Sequence, residues 1–266
     1  MILIAALQTP VRPLVIIPAR HASVRFPGKP LCPLTAPGGT ARPLVEWTWR
    51  AAVAAVGFDQ VCIATDDARI ADAARAFGAR VALTDPDLRN GTERCAAALA
   101  VLGESPDVVV NLQGDSPLIP PQFVTAVLAA FADPAVQVAT PYVECDAAMM
   151  GLIHTDQDAG RVGGTCVVAR TDGTAAYFSK YPIPHGASAA CPLKLHLGLY
   201  AFRPPALAAY AALPQGTLER AEGLEQLRFL EAGWPIHLVA VPRPEGGMWE
   251  VNNPEDVPIV ERGLPH

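Results

Sequence analysis

The chain has 266 residues and a mass of 28.0 kDa, with 51% hydrophobic residues and a formal net charge of −6. This acidic balance excludes a protein that binds nucleic acid through a broad basic surface, because phosphate binding needs clustered Lys and Arg. The hydrophobic fraction is high enough to build a substantial core and too high for a disordered chain.

The apolar runs are shorter than the roughly 18–20 residues that span a bilayer. Residues 1–6 are apolar but have no basic segment before them and no small-residue cleavage site after them. We therefore expect no membrane segment, no signal peptide and a cytoplasmic location. Six cysteines are scattered without the spacing of metal ligands. They predict free, buried thiols rather than disulfides or structural zinc.

The first half of the chain alternates short apolar runs, typical of strands buried on both faces, with apolar residues at helical spacing. The predicted strands cover residues 14–17, 60–64, 80–83 and 107–112, and the predicted helices cover residues 43–56, 68–77, 93–102 and 121–131. Strands that alternate with helices in this way predict an α/β fold with a mostly parallel sheet flanked by helices.

Beyond about residue 135 the alternation is less regular, which predicts that the sheet becomes mixed. The candidate strands there cover residues 136–143, 165–169, 195–202 and 236–241, the helices cover residues 204–212 and 218–231, and residues 182–192 form a loop. The chain offers no linker long enough to separate two units. We therefore expect a single domain.

A loop after the first predicted strand carries Arg20, Arg25 and Lys29. Three cations within ten residues of an acidic protein predict an anion site, and a triphosphate would suit their charge. A solvated loop without function is the alternative. The loop matches neither the P-loop pattern nor the dinucleotide-binding pattern.

Asp115 follows the fourth predicted strand, after a glycine and before Ser116-Pro117. A carboxylate at a strand end can hold Mg²⁺ against substrate phosphates. Alternatively, it caps the turn or helix that follows. Ligands of open α/β sheets bind beyond the carboxyl ends of the strands. We therefore expect the cationic loop and Asp115 to face each other.

Eight motifs occur in a fixed order between about residues 14 and 260, namely residues 18–20, 25–31, 64–66, 91–94, 111–115, 196–200, 224–228 and 254–256. Together they resemble the 3-deoxy-manno-octulosonate (KDO) cytidylyltransferase family, also called CMP-KDO synthetases. The resemblance implies a Rossmann-like nucleotidyltransferase fold of the glycosyltransferase-A-like type and a homodimer. It also implies an N-terminal extension over residues 1–13 and a cytidylyltransferase domain over residues 14–266.

The family transfers CMP from CTP to the anomeric hydroxyl of an acidic sugar and releases pyrophosphate. By resemblance, the catalytic residues would be Arg20, Lys29 and Asp115. The nucleotide would contact Ala19, Arg20, Arg25, Lys29, Thr65, Asp66, Gly91, Thr92 and Arg94. The acceptor sugar would contact Gln113, Lys180, His196, Tyr200, Glu225 and Gln226. Mg²⁺ would be the cofactor, with Asp115 and Asn252 as its protein ligands.

The departures from the family pattern lie on the acceptor and metal sides. Asn252 stands where the family has an aspartate metal ligand, and Glu250 could compensate for the lost charge. Lys180 stands where the family has an arginine for the sugar carboxylate, and lysine cannot form a bidentate fork. Three hypotheses stay open: transfer to KDO or a close analogue, transfer to another anionic acceptor such as a phosphonate, and a nucleotide-binding module without catalysis.

Overall fold

The computed structural model describes residues 11–22, 25–244 and 250–265. The strands, numbered in chain order, are β1 Pro13–Ala19, β2 Pro33–Thr35, β3 Ala41–Pro43, β4 Val61–Thr65, β5 Arg80–Leu83, β6 Val108–Leu112, β7 Val138–Glu144, β8 Thr165–Ala169, β9 Ala175–Ser179, β10 Lys194–His196, β11 Leu199–Phe202 and β12 His237–Ala240. The α-helices are α1 Leu44–Val56, α2 Ala68–Ala76, α3 Gly91–Leu102, α4 Pro121–Ala129, α5 Ala147–Asp158, α6 Pro204–Ala212, α7 Thr217–Glu222, α8 Leu227–Glu231 and α9 Val257–Gly263.

A mixed sheet of ten strands forms the centre of the molecule, in the order β5-β4-β1-β6-β11-β7-β10-β8-β9, with β12 beside β7. The four strands β5, β4, β1 and β6 are parallel, as their alternation with helices predicts. Strand β11 then runs antiparallel to both β6 and β7. The predicted parallel half and the predicted change to a mixed sheet are confirmed.

Both faces of the sheet are covered, because its central strands are apolar on each side. In β1, Val15 and Ile17 face one core cluster and Leu14 and Ile16 face the other. Helices α1, α2 and α4 contribute to the first cluster, and α3 and α6 to the second. A third, smaller cluster joins the β2–β3 hairpin to α9. The loops beyond the strand ends are therefore the main place for polar side chains that face solvent.

Two predicted elements of the second half are wrong in extent. The strand predicted over residues 195–202 is two strands, β10 and β11, which pair with the same edge of β7 and are separated at residues 197–198. On their other edges β10 pairs with β8 and β11 pairs with β6. The helix predicted over residues 218–231 is broken into α7 and α8 by Gly223, which has φ 62°. Glycine adopts this left-handed conformation without steric cost, so the helix ends there and residues 224–226 turn toward the sheet.

Some elements were not predicted, because their sequence signals are weak. The β2–β3 hairpin and β9 are short, and α5 buries only Met149 and Ile153 among its residues. All six cysteines are free, as predicted, but Cys32 is half-buried and Cys191 is exposed rather than buried. Within the described ranges, no helix combines the length and the apolar character needed to cross a membrane.

A buried arginine joins three helices of the second core cluster. Arg228 of α8 is 1% exposed, and its Nε and Nη2 atoms each donate to Glu219 of α7 at 2.7 Å. Its Nη1 atom donates to Glu93 of α3 at 2.9 Å. Burial alone would lower the pKa of Arg228, but these hydrogen bonds outweigh burial and raise its pKa. The guanidinium therefore stays charged between two carboxylates.

Replacing Arg228 with Ala should destabilise the fold by about 3–5 kcal/mol, because it leaves the buried carboxylate of Glu219 without its cation and removes one of the two cations that pair with Glu93. Urea unfolding at pH 7.5 measures this loss. Arg161→Ala is the control, since the Arg161–Asp156 pair lies on the surface and should contribute at most about 1 kcal/mol. Equal losses in the two variants would contradict the assignment of Arg228 as a structural centre.

Candidate active site

A cavity of about 500 Å³ opens at the carboxyl ends of β1 and β6. Its wall includes eight of the predicted site residues, which are Ala19, Arg20, Arg25, Lys29, Gly91, Arg94, Gln113 and Asp115. They come from the loop after β1, the start of α3 and the loop after β6. These segments meet because the carboxyl ends of neighbouring parallel strands lie at one edge of the sheet.

The cationic loop faces the carboxylate after β6, as the sequence predicts. Lys29 Nζ lies 2.6 Å from Asp115 Oδ2, and both side chains are largely shielded from solvent. Arg25 Nη2 donates to Asn252 Oδ1 at 3.1 Å, so the loop also reaches the segment before α9. Arg20 is exposed at the cavity wall. The arrangement places three cations where an anion can enter.

The two loops approach so closely that Gly114 admits no side chain. A Cβ atom at this position would lie 2.8 Å from the carbonyl oxygen of Pro18. Thr48 of α1 also donates its hydroxyl to the carbonyl of Gly114 at 3.1 Å, which fixes the turn that presents Asp115. Glycine is therefore required for the cationic loop and Asp115 to share one cavity.

A second carboxylate, that of Glu250, lies beside Asp115. Ser116 Oγ donates to Glu250 Oε1 at 3.2 Å. Burial, followed by the negative charge of Asp115, raises the pKa of Glu250 to about 7. No group of three or more His, Cys, Asp or Glu side chains in the described ranges could hold a metal ion. A cation at Asp115 would therefore need oxygen ligands from a substrate as well.

On the opposite wall, Arg94 is 2% exposed and pairs with Asp66, its Nη1 atom lying 3.3 Å from Asp66 Oδ1. The same Nη1 atom donates to Thr84 Oγ1 at 2.6 Å. Its Nη2 atom is buried without a hydrogen-bond partner among the residues described. Burial lowers the pKa of Arg94. A buried guanidinium with an unused donor suits an uncharged or anionic ligand that accepts a hydrogen bond.

Not every predicted nucleotide residue lines the cavity. Thr65 is fully buried at the end of β4, where its hydroxyl accepts a hydrogen bond from the backbone of Asp67 at 3.2 Å. Thr92 is 2% exposed, and its hydroxyl accepts from Asn111 Nδ2 at 3.3 Å. Asp66 does not line the cavity itself but pairs with Arg94, which does. The structure brings these three next to the cavity wall, and their contact with a nucleotide stays a prediction.

The predicted acceptor residues form a connected layer next to the cavity. Glu225 accepts hydrogen bonds from the backbone of Thr92 at 3.0 Å and from Gln113 Nε2 at 3.2 Å. Tyr200 donates to Gln226 Oε1 at 3.0 Å, and Gln226 Nε2 is buried without a hydrogen-bond partner in the described chain. Burial raises the pKa of Glu225. This layer couples the break between α7 and α8 to the start of α3.

His196 lies deeper, 9% exposed, with its ring 5.2 Å from that of Tyr200. The hydroxyl of Thr140 donates to the carbonyl of Leu199 at 2.7 Å, so His196 Nε2, 2.9 Å from Thr140 Oγ1, acts as the donor. Lys180 is exposed, but its Nζ atom lies close to the cavity residue Gly223. A Cβ atom added to Gly223 would lie 2.9 Å from that Nζ atom. Thus Lys180 lies at the cavity margin and His196 within the sheet.

Sequence reasoning did not identify three contributors to this site. Arg89 lines the cavity and pairs with Glu93 at 2.5 Å, and nothing in the spacing singles it out. Asn90 caps α3, accepting from the backbone of Glu93 at 2.9 Å, and it also donates to Tyr210 at 2.9 Å. Arg228 lies within one of the eight motifs, but its buried carboxylate partners come from two other helices.

Comparison with known proteins gives consistent matches over most of the chain. A family model for cytidylyltransferases matches residues 14–238. The 3-deoxy-manno-octulosonate cytidylyltransferase of Maricaulis maris is 41% identical over 251 residues, which are 93% of this chain and 95% of that protein. The mitochondrial enzyme of the same name from Arabidopsis thaliana is 40% identical over 251 residues, covering 92% and 81% of the two chains.

Solved structures give the same result. A structure of CMP:2-keto-3-deoxy-manno-octonic acid synthetase complexed with CTP has a TM-score of 0.79 and 33% identity, covering 94% of this chain and 97% of that one. A cytidylyltransferase from Leptospira borgpetersenii, with a TM-score of 0.52 and 15% identity over 91% and 80% of the chains, shares the fold. The predicted family resemblance and nucleotidyltransferase fold are confirmed.

The buried His196 predicts a pH dependence of stability. Burial lowers its pKa from the ordinary value of 6.5 to about 3, so below pH 6.5 the unfolded chain binds a proton that the folded chain does not. The stability that comes from keeping His196 neutral is complete above about pH 7 and is lost as the pH falls toward 3. Between pH 7.5 and 5.5, urea unfolding should show wild type losing about 1 kcal/mol more than His196→Gln. Equal losses would contradict the buried, neutral assignment.

Proposed function

The chain belongs to the cytidylyltransferase family, and on this premise we propose that it transfers CMP from CTP to the anomeric hydroxyl of 3-deoxy-manno-octulosonate, with release of pyrophosphate. The observation that carries the proposal is the cavity in which Lys29 and Asp115 meet. One wall of that cavity is cationic, and the polar layer of Gln113 and Glu225 lies at another. The cationic wall suits a triphosphate, and the polar layer suits the hydroxyl groups of a sugar beside it.

Electrostatics favour the triphosphate at the loop after β1. Arg20, Arg25 and Lys29 would neutralise its charge, and the unused Nη2 donor of Arg94 would bind an acceptor oxygen of the same nucleotide. As pyrophosphate leaves, negative charge accumulates on its oxygens. Fixed cations stabilise that charge without reorganising, which is the main contribution a protein makes to phosphoryl transfer.

We propose that the reaction depends on Mg²⁺ held at Asp115. The donor set fits this hard cation, because carboxylate and amide oxygens of Asp115, Glu250 and Asn252 surround the turn after β6, and Mg²⁺ sites are typically completed by substrate phosphates. Bound there, Mg²⁺ would neutralise charge on the phosphate oxygens. The hydrogen bond from the Thr48 hydroxyl to the carbonyl of Gly114 holds the turn that carries Asp115 in place.

The acceptor would lie against the layer of Gln113, Glu225 and Gln226. Its anomeric hydroxyl oxygen forms a bond to the α-phosphorus as the bond to the β-phosphate oxygen breaks, and the hydroxyl proton leaves to water. The unpartnered Gln226 Nε2 would donate to a sugar oxygen, and Lys180 at the margin would pair with the carboxylate. The protein therefore acts by positioning both substrates.

The homodimer remains a proposal that rests on the family resemblance, and the cytoplasmic location remains a prediction from the sequence. The acceptor is tested directly. Wild-type protein incubated with CTP, Mg²⁺ and KDO should release pyrophosphate, and omission of Mg²⁺ should abolish the release. Turnover with another acid or a phosphonate, but not with KDO, would overturn the acceptor. CTP binding without pyrophosphate release for any acceptor would instead indicate a non-catalytic module.

Lys29→Ala should lower kcat by about 10²–10³-fold, because it removes a cation from the site where charge develops. Pyrophosphate release at saturating CTP and KDO measures the change. Arg75→Ala is the matched control, since Arg75 is an exposed cation on α2 that pairs only with its neighbour Asp72 among the contacts described. A Lys29→Ala variant with the kcat of the control would rule out the proposed role.

A further inference from the structure

The segment that leads into α9 is held against the turn of Asp115. The backbone N–H of Val251 donates to the carbonyl oxygen of Asp115 at 3.0 Å, and the Val251 side chain is fully buried. Ser116 Oγ fixes Glu250 Oε1 at 3.2 Å. Glu250 is thus anchored from both sides next to Asp115, rather than being a carboxylate on a free surface.

The facing strand end leaves room for this carboxylate. A Cβ atom on Gly198, between β10 and β11, would lie 3.1 Å from Glu250 Oε1. Such a contact is tighter than ordinary van der Waals distance, so a side chain at position 198 would press on the Glu250 carboxylate. The glycine between β10 and β11 therefore leaves the space that the Glu250 carboxylate occupies.

Asn252 is engaged in a different way. Its Oδ1 atom accepts from Arg25 Nη2 at 3.1 Å, so the oxygen that could ligate a cation is already bonded to a guanidinium. A neutral amide also attracts a divalent cation less than a carboxylate does. Asn252 is therefore the weaker metal ligand of the two, and Glu250 stands two residues before it.

The two carboxylates of Asp115 and Glu250 repel each other unless a cation lies between them. Lys29 Nζ contacts Asp115 Oδ2, which leaves Asp115 Oδ1 for a second cation. Resting on the Mg²⁺ dependence proposed above, we propose that Glu250, rather than Asn252, is the second protein ligand of the Mg²⁺ at Asp115. Carboxylates from Asp115 and Glu250 then supply the two protein charges, and phosphate oxygens complete the shell.

The test measures metal binding rather than turnover. Full-length wild type, Glu250→Gln and the double variant Glu250→Gln/Asn252→Asp are titrated with Mn²⁺, and the free ion is followed by its electron paramagnetic resonance signal, without nucleotide and with CTP. Glu250→Gln should weaken Mn²⁺ binding about 10-fold or more, because a charged ligand is lost. The double variant should recover to within about 3-fold of wild type, because the aspartate restores the second charge.

Glu255→Gln is the control, because it neutralises an exposed acid on the same segment and should leave Mn²⁺ affinity unchanged. Recovery in the double variant also shows that the loss in Glu250→Gln does not arise from misfolding. Wild-type affinity in Glu250→Gln would overturn this inference alone and leave the proposed reaction in place. A wild type that binds no Mn²⁺ in either condition would overturn both the inference and the proposed Mg²⁺ dependence, whereas pyrophosphate release tests the reaction separately.

Discussion

The buried Arg228 is the interaction on which the geometry of the site depends. It binds Glu93 at the start of α3, which forms one wall of the cavity, and Glu219 of α7, which precedes the layer of Gln113, Glu225 and Gln226. Residues 224–226 lie between these contacts, so the guanidinium helps to set their position relative to α3, together with the hydrogen bond from the backbone of Thr92 to Glu225. A buried charge network is costly unless every member is paired, and here the pairing fixes a specific arrangement of three short helices.

Around this centre, the molecule leaves several polar atoms unsatisfied. Arg94 Nη2, Gln226 Nε2 and Asn111 Oδ1 are buried without hydrogen-bond partners within the described ranges. Arg94 lines the cavity, Gln226 belongs to the layer next to it, and Asn111 donates to Thr92 at the start of α3. An unpaired buried donor costs on the order of 1–3 kcal/mol. A ligand that completes these hydrogen bonds recovers this free energy on binding, and an analogue that lacks the matching groups does not.

Net charge and local charge differ in this protein. The chain as a whole carries −6, yet Arg20, Arg25, Lys29 and Arg94 all line one cavity, with Asp115 as their main opposing charge there. An anion that enters is attracted by the nearby cations, while more distant acidic side chains on the surface are screened by solvent and salt. The overall balance thus excludes a nucleic-acid surface and says nothing against a site for a small polyanion.

The sequence by itself determined the parallel half of the sheet, the cationic loop and the position of Asp115. These features depend on local signals: buried apolar runs, glycine and proline, and the rule that functional loops follow strand ends. The family motifs added the predicted acceptor residues, of which the structure brings Gln113, Tyr200, Glu225 and Gln226 into one connected layer.

Only the tertiary structure decided where a strand and a helix of the second half are interrupted and which residues its charged side chains contact. Gly198 and Gly223 interrupt patterns that read as one strand and one helix, because the apolar spacing continues across them. Arg228 and Glu93 are 135 positions apart in the chain, and Ser116 and Glu250 are 134 positions apart. No local pattern encodes such pairs, because the two partners come into contact only when distant parts of the chain fold together.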